Sequence, residues 1–199
     1  TGVQTCALPI SNGSPIGDWP PVFIALGATL ELREGFSSRK LPLEEFFIAY
    51  RKQNREPQEY LRRITIQKPG PDDRIRVFKV TKRRDEDISA VMGAFKITVK
   101  GDVVSEARIA FGGMAGIPKR AQHAERAIIG ASIKDIATWR AGAEAIERDF
   151  EPLSDHRASA EYRMRVARNL VIKALAEIAG VPSTTTRIFA HREARHAAE

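Results

Sequence analysis

Apolar residues recur along this chain with two alternating spacings, and each spacing predicts a different kind of element. Ala28, Leu30 and Leu32 alternate with Thr29, Glu31 and Arg33, which predicts a half-buried strand over 28–33. Glu34-Gly35 then makes a turn, and 39–42 reads as the return strand. Residues 61–67 place Ile64 and Ile66 on one face of another strand, and 74–80 alternates in the same way. Residues 88–99 are mostly apolar and long for one strand, which predicts a bulge or bend near Gly93. Lys100-Gly101-Asp102 is a hairpin turn that returns over 103–111. Two short pieces are less defined. Residues 22–26 suit helix or strand behind Pro20-Pro21, whose fixed φ predicts an extended entry. Leu43, Phe46 and Phe47 predict one helical turn over 43–48.

Beyond Pro118 the spacing becomes helical. A first helix is expected over 119–129, opened behind Pro118 and ended by Gly130. Ser132 and Asp135 approximate a capping box. They open a helix running to about Asp149, with Ile133, Ile136, Ala137, Trp139, Ala143 and Ile146 as its buried stripe. The last helix, 159–179, repeats Tyr162, Val166, Leu170, Ala174 and Ile178 every four residues. At 1.5 Å per residue it is roughly 30 Å long, and Gly180 and Pro182 end it. The run Lys68-Pro69-Gly70-Pro71-Asp72-Asp73 is the strongest linker signal and the candidate domain boundary. The cluster Gly112-Gly113-Met114-Ala115-Gly116 needs a backbone reason that the pattern does not supply. The tail, 181–199, reads as frayed or as a contact to another chain.

Composition narrows the class. The chain has 199 residues, 43% apolar and 29% charged, the make-up of a soluble protein with one large or two small domains. No apolar run approaches the ~20 residues that cross a bilayer. A single cysteine, Cys6, excludes an internal disulfide framework and any zinc or iron–sulfur site built on several thiolates; the expected compartment is the reducing cytoplasm. The net charge of +7 is spread among acidic neighbours, which reads as a solvated surface and not as a nucleic-acid footprint. Residues 1–10 lack the basic region of a signal peptide and start at Thr, so the chain is expected to be a processed piece or a fragment.

Chemistry is sparse. Residues 11–18 are rich in Gly, Pro, Ser and Asn. They form a surface loop or, on the sharper reading, a loop whose backbone cradles a phosphate or ribityl group. Thr81-Lys82-Arg83-Arg84-Asp85-Glu86-Asp87 switches from three bases to three acids. It reads as a self-neutralising loop, or as one lying over a charged cofactor edge. His123, His156, His191 and His196 lack companions at metal-ligand spacing, so no metal site is expected. No nucleophile elbow, phosphate-binding P-loop or dinucleotide glycine fingerprint is present, and the chain alone does not read as a complete enzyme.

Five ordered motifs carry a resemblance: NGSPIGDWPP at 12–21, LPLEEFFIAYRKQ at 41–53, FKVTKRRDEDISAVMGAFK at 78–96, ARIAFGGMAGIPKRA at 107–121 and RASAEYRMRVARNL at 157–170. Together they resemble the FAD-binding flavoprotein subunit of the molybdenum hydroxylases, a family that includes carbon monoxide dehydrogenase. KRRDEDIS points to the xanthine dehydrogenase branch, whose small subunit carries this FAD-binding part. The resemblance implies an α+β fold: the end of a two-subdomain, PCMH-type FAD-binding domain over 11–70, then a domain over 73–180 with a three-stranded antiparallel sheet and a helical bundle. Residues 1–10 depart from it. Where the family has Gly-Gly-Asn-Ile, this chain has Ala7, Leu8, Pro9 and Ile10, so 1–10 reads as a foreign segment.

The same resemblance implies roles. Asn12 and Ser14 lie near the ribityl–pyrophosphate part of FAD. Asp18 accepts from an FAD hydroxyl or supports that loop. Leu61 is an apolar contact to the cofactor, and Lys79 is the cation beside the isoalloxazine ring. Residues 80–90 match a loop governing access of NAD to the flavin, with Glu86 near the ring and Arg83 and Arg84 as anchors through carboxylates. The implied activity is an electron relay. A purine is hydroxylated at the molybdopterin centre of a large partner subunit, electrons pass through 2Fe–2S clusters outside this chain, and FAD delivers them to NAD. No residue of this chain is assigned a catalytic bond-making role, and no nucleic acid or membrane is expected as partner. Two alternatives stay open: a structural module of such a complex without its own flavin, and a basic anion-binding module.

Overall fold

The computed structural model describes residues 14, 16–83 and 87–182. The N-terminal half holds α1 (Trp19–Ala25), β1 (Thr29–Glu34), β2 (Ser37–Pro42), a 3₁₀ turn (Leu43–Glu45), β3 (Phe47–Ala49), β4 (Lys52–Gln53) and β5 (Tyr60–Thr65). The C-terminal half holds β6 (Asp73–Val80), β7 (Val91–Lys100), β8 (Val103–Gly112), β9 (Lys119–Arg120), α2 (Gln122–Ile128), a 3₁₀ turn (Ile136–Trp139), α3 (Arg140–Asp149) and α4 (Ala160–Ile178). Among the described residues three antiparallel sheets result, with strand orders β2-β1-β5, β3-β4 and β6-β7-β8-β9. The fold is α+β, as expected. The large sheet has three long strands, and two-residue β9 adds a fourth at its edge.

The alternation read in β1 holds: Ala28, Leu30 and Leu32 are buried. Glu31, on the opposite face, is buried too, because Arg62 and Arg63 of β5 cover it. In β7 both faces are covered, which explains its unbroken apolar run. Phe95 and Ile97 join the core under α4, while Ala94 of β7 and Ala110 of β8 join the core of the N-terminal half with Phe23 and Ile24 of α1. Small residues at 94 and 110 let α1 lie close on the sheet. The two halves are therefore welded together. Arg108 donates to Ile24 O at 2.8 Å and to Glu44 at 2.5 Å, and Glu44 also accepts from Arg120 at 2.9 Å.

Several expectations are corrected. Pro20-Pro21 does not make an extended entry; both residues sit in the first turn of α1, where the missing N–H groups have no intrahelical partner to lose. Residues 43–48 split into a 3₁₀ turn and β3. β7 does not bend at Gly93; its register shift falls between Thr98 and Val99. Gly93 is small because a Cβ would meet Phe111 at 2.9 Å and Leu170 of α4 at 3.2 Å. Residues 119–120 pair with β8, so the first helix starts at Gln122. The second is a 3₁₀ turn capped by Asp135, then α3. Ile136 and Ala137 are exposed there, while Trp139, Ala143 and Ile146 are buried. In α4 the buried face is Arg163, Ala167, Leu170, Val171, Ala174 and Leu175, so the stripe is rotated and Tyr162 is exposed. An i+4 series drifts around a helix of 3.6 residues per turn, and packing chooses the 3/4 alternation.

Candidate functional site

The end of β6 and the start of α1 meet at one polar cluster. Alternation along β6 sends Phe78 toward α4, where its ring lies 5.8 Å from that of Phe95. Lys79, the next residue, takes the opposite face, and its Nζ donates to Asp18 Oδ2 at 2.8 Å. Ser89, itself buried, donates its hydroxyl to Asp18 Oδ1 at 2.5 Å. Asp18 precedes α1, in the position of an N-cap, yet its side chain makes no capping bond. An N-cap oxygen bonds the N–H of the second or third helical residue. Here those residues are Pro20 and Pro21, which have none. Both carboxylate oxygens are thus released to Lys79 and Ser89.

The pair is not sealed. The Lys79 side chain is 44% exposed and that of Asp18 35%. A lysine ammonium has three donors, so with one given to Asp18 it retains capacity for a ligand. Nearby, Ile16, Tyr50, Gly113 and Leu153 line a groove of about 330 Å³, with Asp155 and Arg163 also on its wall. A second, more polar groove of about 580 Å³ runs between Thr81, Lys82 and Ala90 on one side and His156, Arg157 and Tyr162 on the other. Lys82 spans it, donating from Nζ to His156 O at 2.7 Å.

The charge switch neutralises itself where it is described. Asp87 accepts from the Arg83 backbone N–H at 2.9 Å and pairs with the Arg83 guanidinium at 3.4 Å. The Arg83 N–H, with that guanidinium, holds the Asp87 carboxyl below its usual range. Of the residues singled out from the sequence, Asp18 and Lys79 are brought together. Arg83 lies in the loop that leads from β6 to Ser89. Ser14 is half-buried. Leu61 is on a different sheet, opposite Leu32 in β5–β1 pairing, and packs against the core of the N-terminal half. Asn12, Arg84 and Glu86 lie outside the described residues, as do His191 and His196. Among the described residues no three metal-ligating side chains come together, and no helix is long and apolar enough to cross a membrane.

Sequence reasoning missed Ser89 and Arg163. Ser89 carried no signal beyond its place in the KRRDEDIS run. Arg163 did carry one: a base placed among Ala167, Leu170 and Ala174 on the apolar face of α4. The glycine cluster finds its reason in the same place. Gly113 has φ +79°, and a Cβ there would stand 2.4 Å from Ala90 O.

Comparisons with known proteins agree with this architecture. Residues 76–178 match the family described as CO dehydrogenase flavoprotein C-terminal domain, and residues 5–69 match FAD binding domain in molybdopterin dehydrogenase. The glyceraldehyde dehydrogenase medium chain of Sulfolobus acidocaldarius is 32% identical over 175 residues, covering 85% of this chain and 59% of that protein. A xanthine dehydrogenase of Drosophila subobscura is 44% identical over 113 residues, covering 53% of this chain and 8% of that protein. Among solved structures, carbon monoxide dehydrogenase from Hydrogenophaga pseudoflava superposes with a TM-score of 0.80 at 28% identity, covering 85% of this chain and 58% of that one. The chain thus spans under two thirds of the length of each relative.

Proposed function

This chain belongs to the FAD-binding flavoproteins of the molybdenum hydroxylase family, and on that premise we propose that it is the flavin-positioning part of a xanthine dehydrogenase. Relatives act on different substrates by name, glyceraldehyde, xanthine and carbon monoxide among them. The xanthine assignment is supported by the KRRDEDIS run and by the high identity to the Drosophila protein over 113 residues. On this reading residues 11–70 end the FAD-binding domain, and 73–180 form the C-terminal domain behind it. The protein works in the cytoplasm beside a molybdopterin-binding large subunit, and NAD is the acceptor.

The observation that carries the proposal is the half-exposed Lys79–Asp18 pair at the seam of the two halves. The donor set fits FAD. When bound, FAD supplies two-electron storage and hydride delivery to NAD. Lys79 offers an ammonium toward an edge that gains negative charge on reduction, and a fixed cation there favours the reduced state. Asp18 orients that ammonium through Oδ2 and is itself held by Ser89. Leu61 and the groove below Ile16 and Tyr50 offer apolar surface, and Asn12 and Ser14 backbone and hydroxyl groups for the ribityl–pyrophosphate part. Arg83, Arg84 and Glu86 belong to the loop through which NAD reaches the flavin.

The test is flavin content. The full-length flavoprotein, co-purified with its large subunit, is expected to carry about one FAD per chain and to reduce NAD when given xanthine. Lys79→Ala or Asp18→Ala is expected to lower flavin occupancy. A folded complex without flavin would leave only a structural role for this domain. Flavin present with reduction driven by an aldehyde or carbon monoxide, and none by xanthine, would keep the flavoprotein and overturn the branch assignment.

A further inference from the structure

Arg163, near the start of α4, has a side chain only 3% exposed. Its guanidinium gathers three separate segments. Nη1 donates to Ala90 O and, at 2.9 Å, to Gly113 O; Nη2 donates to Asp155 Oδ1 at 2.6 Å. A buried base is costly to desolvate, and removing it alone would leave Asp155 and two carbonyls without their donor. What a guanidinium adds is direction, because its planar fork fixes where several acceptors lie.

Those acceptors are the far side of the Lys79 cluster. Ala90 N–H donates to Val80 O at 2.8 Å, so the carbonyl that Arg163 grips belongs to the residue bonded beside Lys79. Ser89, one residue earlier, holds Asp18. Gly113 makes room for this convergence, since any side chain there would strike Ala90 O. Asp155 is locked in turn by the N–H groups of Arg157 and Ala158, at 2.8 and 3.1 Å. Burial works against the Asp155 charge, but those two N–H groups and Arg163 outweigh it and hold its pKa at about 2, so the anchor stays charged.

We propose that Arg163 is a positioning residue for the flavin-facing cation, acting from α4 through Ala90 and Ser89 to set Asp18 and thereby Lys79. The assignment rests on the reading of Lys79 as the flavin's neighbour. Its test uses the full-length flavoprotein in its complex, with Arg163→Met, Arg163→Lys, Ser89→Ala and Lys79→Met. Two readouts are taken: the flavin reduction potential, and amide hydrogen exchange at Ala90 with the flavin removed. Arg163→Met is expected to move the potential in the same negative direction as Lys79→Met, with partial recovery in Arg163→Lys. Combined with Lys79→Met it should add no further shift. Exchange at Ala90 is expected to rise by about tenfold or more. Ser89→Ala, which leaves the buried base in place, should reproduce the shift if Arg163→Met fails to fold. A wild-type potential in folded Arg163→Met or, where that variant does not fold, in Ser89→Ala, while Lys79→Met shifts it, would reduce Arg163 to a packing role. A wild-type potential in Lys79→Met would overturn the flavin reading itself, and this assignment with it.

Discussion

Lys79 Nζ and Asp18 Oδ2 lie 2.8 Å apart although 61 positions separate them in the chain. Strand alternation turns Lys79 away from the α4 core, and the two prolines after Asp18 remove the N–H groups its carboxylate would otherwise cap. As both side chains are over a third exposed, the pair contributes about 0–1 kcal/mol to stability. Lys79→Met or Asp18→Asn should therefore lower the unfolding free energy by less than about 1 kcal/mol while weakening flavin binding about tenfold or more. Denaturant unfolding alongside a flavin titration checks this; a large stability loss with unchanged flavin affinity would mark the pair as structural.

Restoring a donor should redirect Asp18. Pro21→Ala returns an N–H to the third residue of α1, where a capping carboxylate gains about 1 kcal/mol. Asp18 then has a competitor for Lys79, so flavin affinity should fall even though the helix start becomes no less stable. Pro21→Ala in an Asp18→Asn background should have a smaller effect. Equal losses in the two backgrounds would show that Pro21 acts by another route.

Gly113→Ala is expected to destabilise the protein by at least about 1–3 kcal/mol, the usual cost of a left-handed non-glycine backbone. The clash with Ala90 O adds to it. The comparison is Gly101→Ala, also left-handed at φ +61° but with open space around the added Cβ. Thermal unfolding should rank Gly113→Ala clearly below Gly101→Ala; equal losses would mean that backbone strain alone decides.

Glu59 gives a pH dependence. It accepts from Arg39 at 2.7 and 2.9 Å and from the Glu56 N–H at 2.9 Å. The Arg39 bond, helped by that N–H, outweighs burial and lowers its pKa to about 2. The unfolded chain has an ordinary glutamate near 4.3, so at intermediate pH it binds the proton more tightly than the fold does. The stabilisation is whole above about pH 4.3 and is lost as pH falls toward about 2. Stability measured from pH 5 down to 2 should drop less steeply in Glu59→Gln than in the parent. Parallel curves would assign the acid sensitivity elsewhere, Asp155 first.

The strands were legible because their signals are local: β1, β5, β6 and β7 appear where alternation or an apolar run marks them, and β8 where the Lys100-Gly101-Asp102 turn returns the chain. So was the start of α4, at the N-cap Ser159, but the starts of α2 and α3 were not. Residues 119–120 have nothing in their own spacing that announces pairing with Phe111 and Ala110 of β8. Ile136 looks like a core residue by its place in an i+3 series, yet it opens the 3₁₀ turn and lies 59% exposed, a placement that spacing does not reveal. Of the candidate site, Asp18 and Lys79 were singled out by resemblance in their motifs and prove to be paired, while Ser89 and Arg163 were not singled out.

Periodicity and composition by themselves set the class of elements and most of the core, since these depend on neighbours along the chain. The ordered motifs carried the family. The weld between the halves, the release of Asp18 and the grip of Arg163 on Ala90 were settled only in three dimensions. Each depends on where a side chain or carbonyl from a distant segment arrives. Burial then makes that arrival selective, because a buried charge or carbonyl is tolerated only where its partner is already in place.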